Sequence, residues 1–317
     1  MVAVLDVSDL RVRYHTSRGP VRAVDGVSFD LGERERLGLV GESGSGKSTI
    51  ALSLMRMIRP PGKIEDGRVA LDGVDLLTLS DEAMRKTRLA KVAMVAQGAM
   101  NSLNPVARVR EQLRDGLRDH GVKTNGKAFD EQIAGLLASV GLRPEVADKF
   151  PHELSGGMKQ RVCIAIAISL GPRLIVADEP TSALDVVVQR QVMDTLLEVQ
   201  ETIGASVILI GHDMGLMAQV VDRVGIMYAG KLAELSPVRP LFAEPLHPYS
   251  QLLIASLPTL EARGVFQGIP GLPPSLLNRP TGCPFRARCP KAFDRCAVEE
   301  PLLREVAPGR KVACHLY

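Results

Sequence analysis

The nine residues GESGSGKST at 41–49 constrain this chain more than any other stretch. They fit G-x-x-x-x-G-K-[ST], they follow the short apolar run LGLV, and they open STIALSLMRMI, whose apolar residues fall at helical spacing. The glycines therefore sit at a strand-to-helix turn. There, backbone N–H groups can face phosphate oxygens while the start of the helix adds positive potential. Gly41, Ser43, Gly44, Gly46 and Thr49 make up this cradle. Lys47 is expected to reach the β- and γ-phosphates, and the Ser48 hydroxyl to ligate Mg²⁺. The alternative is a plain glycine turn with a solvated lysine, and the strand before and helix after weigh against it.

Two later stretches add to this site. LIVADEP at 174–180 is an apolar strand that ends in Asp178, a carboxylate suited to a magnesium shell, with Glu179 beside it able to polarise a water. LSGGMKQR at 154–161 places Ser155, Gly156 and Gly157 at a helix start, where hydroxyl and backbone N–H groups can receive a second anion. Taken alone, the first is a strand end and the second an N-cap with flexible glycines.

The surrounding sequence indicates an α/β chain. VAVLDVSDLRVRY and VRAVDGVSFDL alternate apolar and polar residues, the period of half-buried strands, so a small antiparallel sheet is expected at the N-terminus. Residues from about 107 to 150 are charged and helical in pattern, an inserted helical subdomain. LIVAD and SVILIGHD are β-branched runs with helical stretches between them, as in a parallel sheet with crossover helices. From about residue 235 the texture changes: 13 of the 21 prolines lie in the last 83 residues, which predicts a loop-rich extension without long helices or central strands.

With 39 basic against 36 acidic residues, the charge is too balanced for a polybasic nucleic-acid surface, and no nucleic-acid partner is expected. No run of about 18 apolar residues offers a spanning helix. Charged residues interrupt the first 20 positions, unlike a signal peptide, so a cytoplasmic protein is expected.

In this order, the motifs resemble the ATP-binding subunits of ABC transporters. The resemblance implies a P-loop NTPase core of RecA-like type, with an N-terminal antiparallel β subdomain, a helical subdomain at about 98–172 and a C-terminal extension. It divides the chain into a nucleotide-binding domain, 1–234, and the extension, 235–317. It also assigns roles. GESGSGKST is the Walker A loop, LIVADE the Walker B strand and LSGGM the signature that completes the ATP site of the opposite subunit. Tyr14 stacks on adenine, Gln97 is the Q-loop residue that can touch Mg²⁺ or the lytic water, Asp185 belongs to the D-loop and His212 is the switch histidine near the γ-phosphate. Glu179, His212 and Gln97 are thus the catalytic candidates. Ala96 and Gly98 stand where the family commonly has an aromatic and an acidic residue, and Gly211 where it commonly has threonine.

The tail, with LFAEPLHPYSQLLIASLP and IPGLPPSLLNRPTGCPFRARCP, resembles the subunits that energise oligopeptide, dipeptide and nickel importers. That implies ATP and Mg²⁺ as cofactors, and a second ATP-binding subunit, identical or paralogous. Two integral membrane permease subunits would be met by the segment GAMNSLNPVAR, and an extracytoplasmic solute-binding protein would join the complex. The chain would be peripheral, on the cytoplasmic face of the cell membrane. A nickel or other solute importer of the same branch, a soluble ABC ATPase acting on ribosomes or DNA, and a non-hydrolysing partner are the competing readings. The single motif set, the lack of extended heptads and the intact Lys47, Asp178, Glu179 and His212 weigh against the last two.

Cys283, Cys289, Cys296 and Cys314 crowd into this tail with five, six and seventeen residues between them. A reducing cytosol disfavours disulfides. Four thiolates suit a structural zinc ion, although none of the gaps has the usual two to four residues, or a [4Fe-4S] cluster, which tolerates wider loops. The importer resemblance implies the cluster; zinc and unligated thiols are the alternatives, with His315 a substitute ligand. Cys163, in an apolar helical run, is expected only to pack.

Overall fold

The computed structural model describes residues 3–98, 102–182, 184–257 and 268–317. The N-terminal alternation forms β1 (Ala3–Thr16) and β2 (Gly19–Gly32), and β3 (Arg36–Val40) is the short buried strand that leads to the glycine loop and α1 (Lys47–Leu54). β4 (Gly62–Leu71) and β5 (Val74–Asp75) follow. Next come α2 (Asp81–Thr87), β6 (Val92–Val95), α3 (Val109–Asp119), α4 (Lys127–Ser139) and α5 (Gly156–Ile168). β7 (Leu174–Asp178), α6 (Val186–Ile203), β8 (Ser206–Ile210), α7 (Met214–Val220), β9 (Arg223–Tyr228) and β10 (Lys231–Pro237) alternate strand with helix. The tail contributes α8 (Val238–Ala243), α9 (Pro248–Ala255), α10 (Arg295–Val298), β11 (Arg304–Ala307) and β12 (Arg310–Val312).

These elements form two compact units. One comprises mainly Leu31–Glu35 and Thr78–Ile210, the other Leu5–Asp30, Arg36–Leu77 and Gly211–Tyr317. The residues from 235 onward thus belong to the same unit as the glycine loop.

In the unit around 78–210, β6, β7 and β8 pair in parallel, with Val92 opposite Leu174 and Asp178 opposite Ile210. Leu174, Ile175, Val176 and Ala177 are fully buried, the near-continuous apolar run expected of a strand covered on both faces. The expected helical insert is present as α3 and α4, which turn Leu113, Leu117, Phe129, Ile133 and Leu137 inward.

In the other unit the expected N-terminal sheet has the order β2-β1-β4-β5, with β1 and β4 antiparallel. A second run of strands begins with β3 parallel to β9 and continues antiparallel through β10 and β12 to β11. The proline-rich tail is thus more regular than its composition predicts, because its last strands extend this sheet. Among the described residues, Tyr249 and Phe285 are the largest fully buried side chains, and both belong to this unit.

Candidate functional site: a phosphate loop and a carboxylate pair

The glycine loop forms the turn its sequence requires. Gly46, the residue before α1, has φ of 104°, and a Cβ there would lie 2.3 Å from the carbonyl oxygen of Ala23. Any other residue would clash with a fixed backbone atom. Lys47 is only 7% exposed, and its ammonium donates to Gly41 O at 2.8 Å, Glu42 O at 2.9 Å and Ser45 Oγ at 3.3 Å. Loop oxygens thus hold the cation in place at the helix start. Ser48 and Thr49 follow in the first turn of α1.

Tyr14 and His212 belong to the same unit as this loop. Tyr14 lies in β1 opposite Gly62, whose missing side chain leaves room for the ring: a Cβ there would meet Tyr14 Cε1 at 2.7 Å. His212 is exposed and precedes Asp213, whose side chain caps α7 by accepting from the Leu216 N–H at 2.9 Å.

In the unit around 78–210, Asp178 ends β7 and is buried, and Glu179 follows with φ of 45°, a left-handed conformation unusual for a glutamate. The Glu179 N–H donates to Ile210 O at 2.8 Å, which fixes the turn. Gln97, just after β6, donates through Nε2 to Glu179 Oε2 at 2.9 Å. The structure therefore brings the two catalytic candidates of this unit into contact across 82 residues of chain.

Ser155 is the N-cap of α5, its hydroxyl accepting from the Met158 N–H at 3.3 Å. At Gly157 a Cβ would meet Val188 Cγ1 at 2.6 Å, so the glycine lets α5 approach α6 closely. Asp185 caps α6, its Oδ1 accepting from the Val188 N–H at 3.0 Å. Of GAMNSLNPVAR, residues 99–101 lie outside the described residues, as does Ala183.

The four tail cysteines line one small pocket with His247 and His315. Among the described residues, no group of three or more His, Cys, Asp or Glu side chains is arranged to hold a metal ion. The expected [4Fe-4S] cluster, and the zinc alternative, therefore find no support here. Cys283 and Cys296 are buried, and the Cys283 N–H donates to Cys296 O at 2.9 Å. Burial, reinforced by the neighbouring thiols, pushes Cys283 up to about 11, and Cys289 and Cys314 are raised for the same first reason. His315 is engaged as well, its Nε2 donating to Glu299 O at 2.9 Å. Cys163 is buried within α5, as expected.

Sequence reasoning missed two polar residues next to the loop. Arg288, between Cys283 and Cys289, grips the loop residue Glu42 with two bonds of 2.7 and 2.8 Å. Tyr249 accepts from the Glu42 N–H at 3.0 Å. No local pattern marks these residues, since the partners are more than 200 positions apart in the chain.

A family model described as ABC transporter matches residues 24–182, and one described as oligopeptide/dipeptide transporter, C-terminal region, matches 233–296. The chain belongs to the ABC transporter family. It is an ATPase, a member of the branch that carries this C-terminal region. It is 43% identical to a dipeptide transport ATP-binding protein of Haemophilus influenzae, an alignment covering 99% of this chain and 96% of that one. It is also 43% identical to an oligopeptide transport ATP-binding protein of Escherichia coli, over 98% and 93% of the two chains. The structure of a bacterial ABC transporter cassette, solved as a dimer, superposes with TM-score 0.66 at 26% identity, covering 74% of this chain and 99% of the cassette. A second solved state of that cassette holds ADP and phosphate. Among the described residues of this ATPase, no helix is long and apolar enough to cross a membrane.

Proposed function

We propose that this ATPase energises the import of oligopeptides or dipeptides through separate membrane permease subunits. The observation that carries the reading is the combination of an ATP-binding cassette with the peptide-transporter C-terminal region in one chain. Full-length similarity to dipeptide and oligopeptide transport ATP-binding proteins supports it. The partners are a second ATP-binding subunit, two permeases and an extracytoplasmic solute-binding protein, and the chain works at the cytoplasmic face of the membrane. The nucleotide-binding domain is 1–234 and the extension 235–317.

The roles follow from the chemistry of each group. The loop from Gly41 to Thr49 offers backbone N–H groups to phosphate oxygens, and Lys47 adds a positive charge held by the loop's own carbonyls. Tyr14 offers a ring face to adenine. Mg²⁺, when bound, neutralises charge on the phosphates; Ser48, Gln97 and Asp178 carry the oxygens to hold it. Glu179 accepts a proton from the attacking water, and the Gln97 amide, bonded to Glu179 Oε2, orients that carboxylate. His212 serves near the γ-phosphate. Ser155, Gly156 and Gly157 serve the ATP site of the opposite subunit, and Asp185 the interface between the two.

Glu179→Gln tests the assignment. The variant is expected to bind ATP with wild-type affinity and to hydrolyse it about a hundredfold or more slowly, because the amide cannot take the proton. Near-normal phosphate release by this variant would remove Glu179 from the role. Co-purification with two integral membrane subunits, and peptide uptake that fails in the Glu179→Gln strain, test the partner and substrate claims.

A further inference from the structure

Glu42 puts a carboxylate into the phosphate loop, between Gly41 and Ser43, in a segment that receives a polyanion. An unpaired negative charge there opposes nucleotide binding. The structure answers that charge from the tail. The Arg288 guanidinium forms a fork on the carboxylate, with Nη1 donating to Oε2 at 2.7 Å and Nη2 to Oε1 at 2.8 Å. Its other N–H groups are also used: Nε donates to Pro270 O at 2.9 Å, Nη2 to Ile269 O at 3.2 Å and Nη1 to the Tyr228 hydroxyl at 3.3 Å. All five donors of the guanidinium are occupied. The Arg288 and Glu42 side chains are 5% and 26% exposed, against 35% and 57% for the surface pair Arg11–Asp9, so the fork is more shielded from solvent than that pair.

The rest of Glu42 is held as well. Its N–H donates to the Tyr249 hydroxyl at 3.0 Å, and its carbonyl accepts from Lys47 at 2.9 Å. Tyr249 packs against Tyr228 and Phe285 at ring-centroid distances of 4.7 and 5.3 Å, which fixes the hydroxyl that receives the loop. One loop residue is thus anchored by α9, by the end of β9 and by the cysteine-bearing segment together.

We propose that Arg288 is a positioning residue of the ATP site, which neutralises and anchors Glu42 so that the tail sets both the charge and the conformation of the phosphate loop. The inference builds on the chain's ATPase activity and adds that the extension is part of the nucleotide site's support rather than an appendage to it.

The test is a double-mutant cycle on the full chain and the assembled transporter. Arg288→Gln is expected to raise KM for ATP about tenfold while kcat stays within about twofold, since the variant leaves a carboxylate unpaired beside the phosphates but touches no reacting atom. Glu42→Gln combined with Arg288→Gln is expected to bring KM back to about threefold above wild type, because the unpaired charge is gone while the anchoring fork is still missing. Arg288→Lys, which keeps the charge without the fork, should fall between wild type and Arg288→Gln. In the nucleotide-free chain, hydrogen exchange at residues 41–47 should be about tenfold faster in Arg288→Gln. An unchanged KM in Arg288→Gln, or a double variant as weak as the single one, would overturn the proposal and leave Arg288 to tail packing. Failure of the wild-type chain to bind trinitrophenyl-ATP would count against the ATPase assignment instead. The exchange measurement, which uses no nucleotide, would still decide the role of Arg288: an unchanged rate overturns it.

Discussion

The phosphate loop and the four-cysteine pocket lie in the same unit, yet they are held together by different means. The loop is fixed by backbone. Gly46 takes a left-handed conformation against Ala23, and carbonyls of Gly41 and Glu42 hold the Lys47 ammonium. The cysteine pocket is lined by side chains instead: Phe285, Phe293 and Leu316 stand beside the thiols, and burial raises Cys283, Cys289 and Cys314 away from the thiolate form. A site built from backbone demands particular residues at particular spacings, so it leaves a readable motif. A pocket gathered by packing demands only that its residues be small and apolar enough, and the same spacing is compatible with several chemistries.

The largest effect should come from breaking the loop. Lys47→Ala removes a charge that loop oxygens hold in place, and phosphate release by the assembled transporter is expected to fall by more than about a hundredfold. Retention of a tenth of the wild-type rate would place the catalytic cation elsewhere. The tail should instead respond to pH. Burial holds His247 down to about 4 from its ordinary 6.5, while its Nδ1 accepts from the Tyr249 N–H at 3.0 Å and so requires a neutral ring. Because the unfolded chain takes up the proton first, the stabilising contribution is complete above pH 6.5 and is lost as pH falls toward 4. A shift of this size corresponds to about 3 kcal/mol. Glu234, raised first by burial although it accepts from the Leu246 and His247 N–H groups, works in the opposite direction, its contribution lost as pH rises. Urea unfolding at pH 7 and pH 5 should therefore show a drop in wild type that is smaller in His247→Gln, and equal slopes in the two chains would remove His247 from the account.

How much was legible follows the same division. Strand alternation in β1 and β2, the turn at Gly46 and the cap at Ser155 are local, and each could be read from neighbouring residues. The Gln97 to Glu179 bond required the order of motifs, which the resemblance supplied. Arg288 and Tyr249 could not be found, because their partner Glu42 lies 246 and 207 residues away and neither sits in a periodic pattern. The tail's strands were hidden by its prolines: β12 pairs with β10 through Lys311 and Val312, between the composition signals. The left-handed φ of Glu179 has no sequence signature at all, since it is imposed by the Ile210 carbonyl that its N–H meets.

The smallest expected effect sharpens the tail side of the comparison. If packing alone gathers the thiols, their reactivity should follow individual burial. Cys283 and Cys296 are buried, whereas Cys289 and Cys314 are partly open. In the native chain at pH 8, alkylation of Cys283 and Cys296 by iodoacetamide should be about tenfold slower than that of Cys289 and Cys314, as peptide mass spectrometry would show. Equal and strong protection of all four would instead identify them as one ligand set, since ligation silences thiolates whatever their exposure. The same measurement on Arg288→Gln connects the two regions. Loss of the fork frees one wall of the segment between Cys283 and Cys289, so alkylation of Cys289 should rise more than that of Cys314, which follows β12 in the chain.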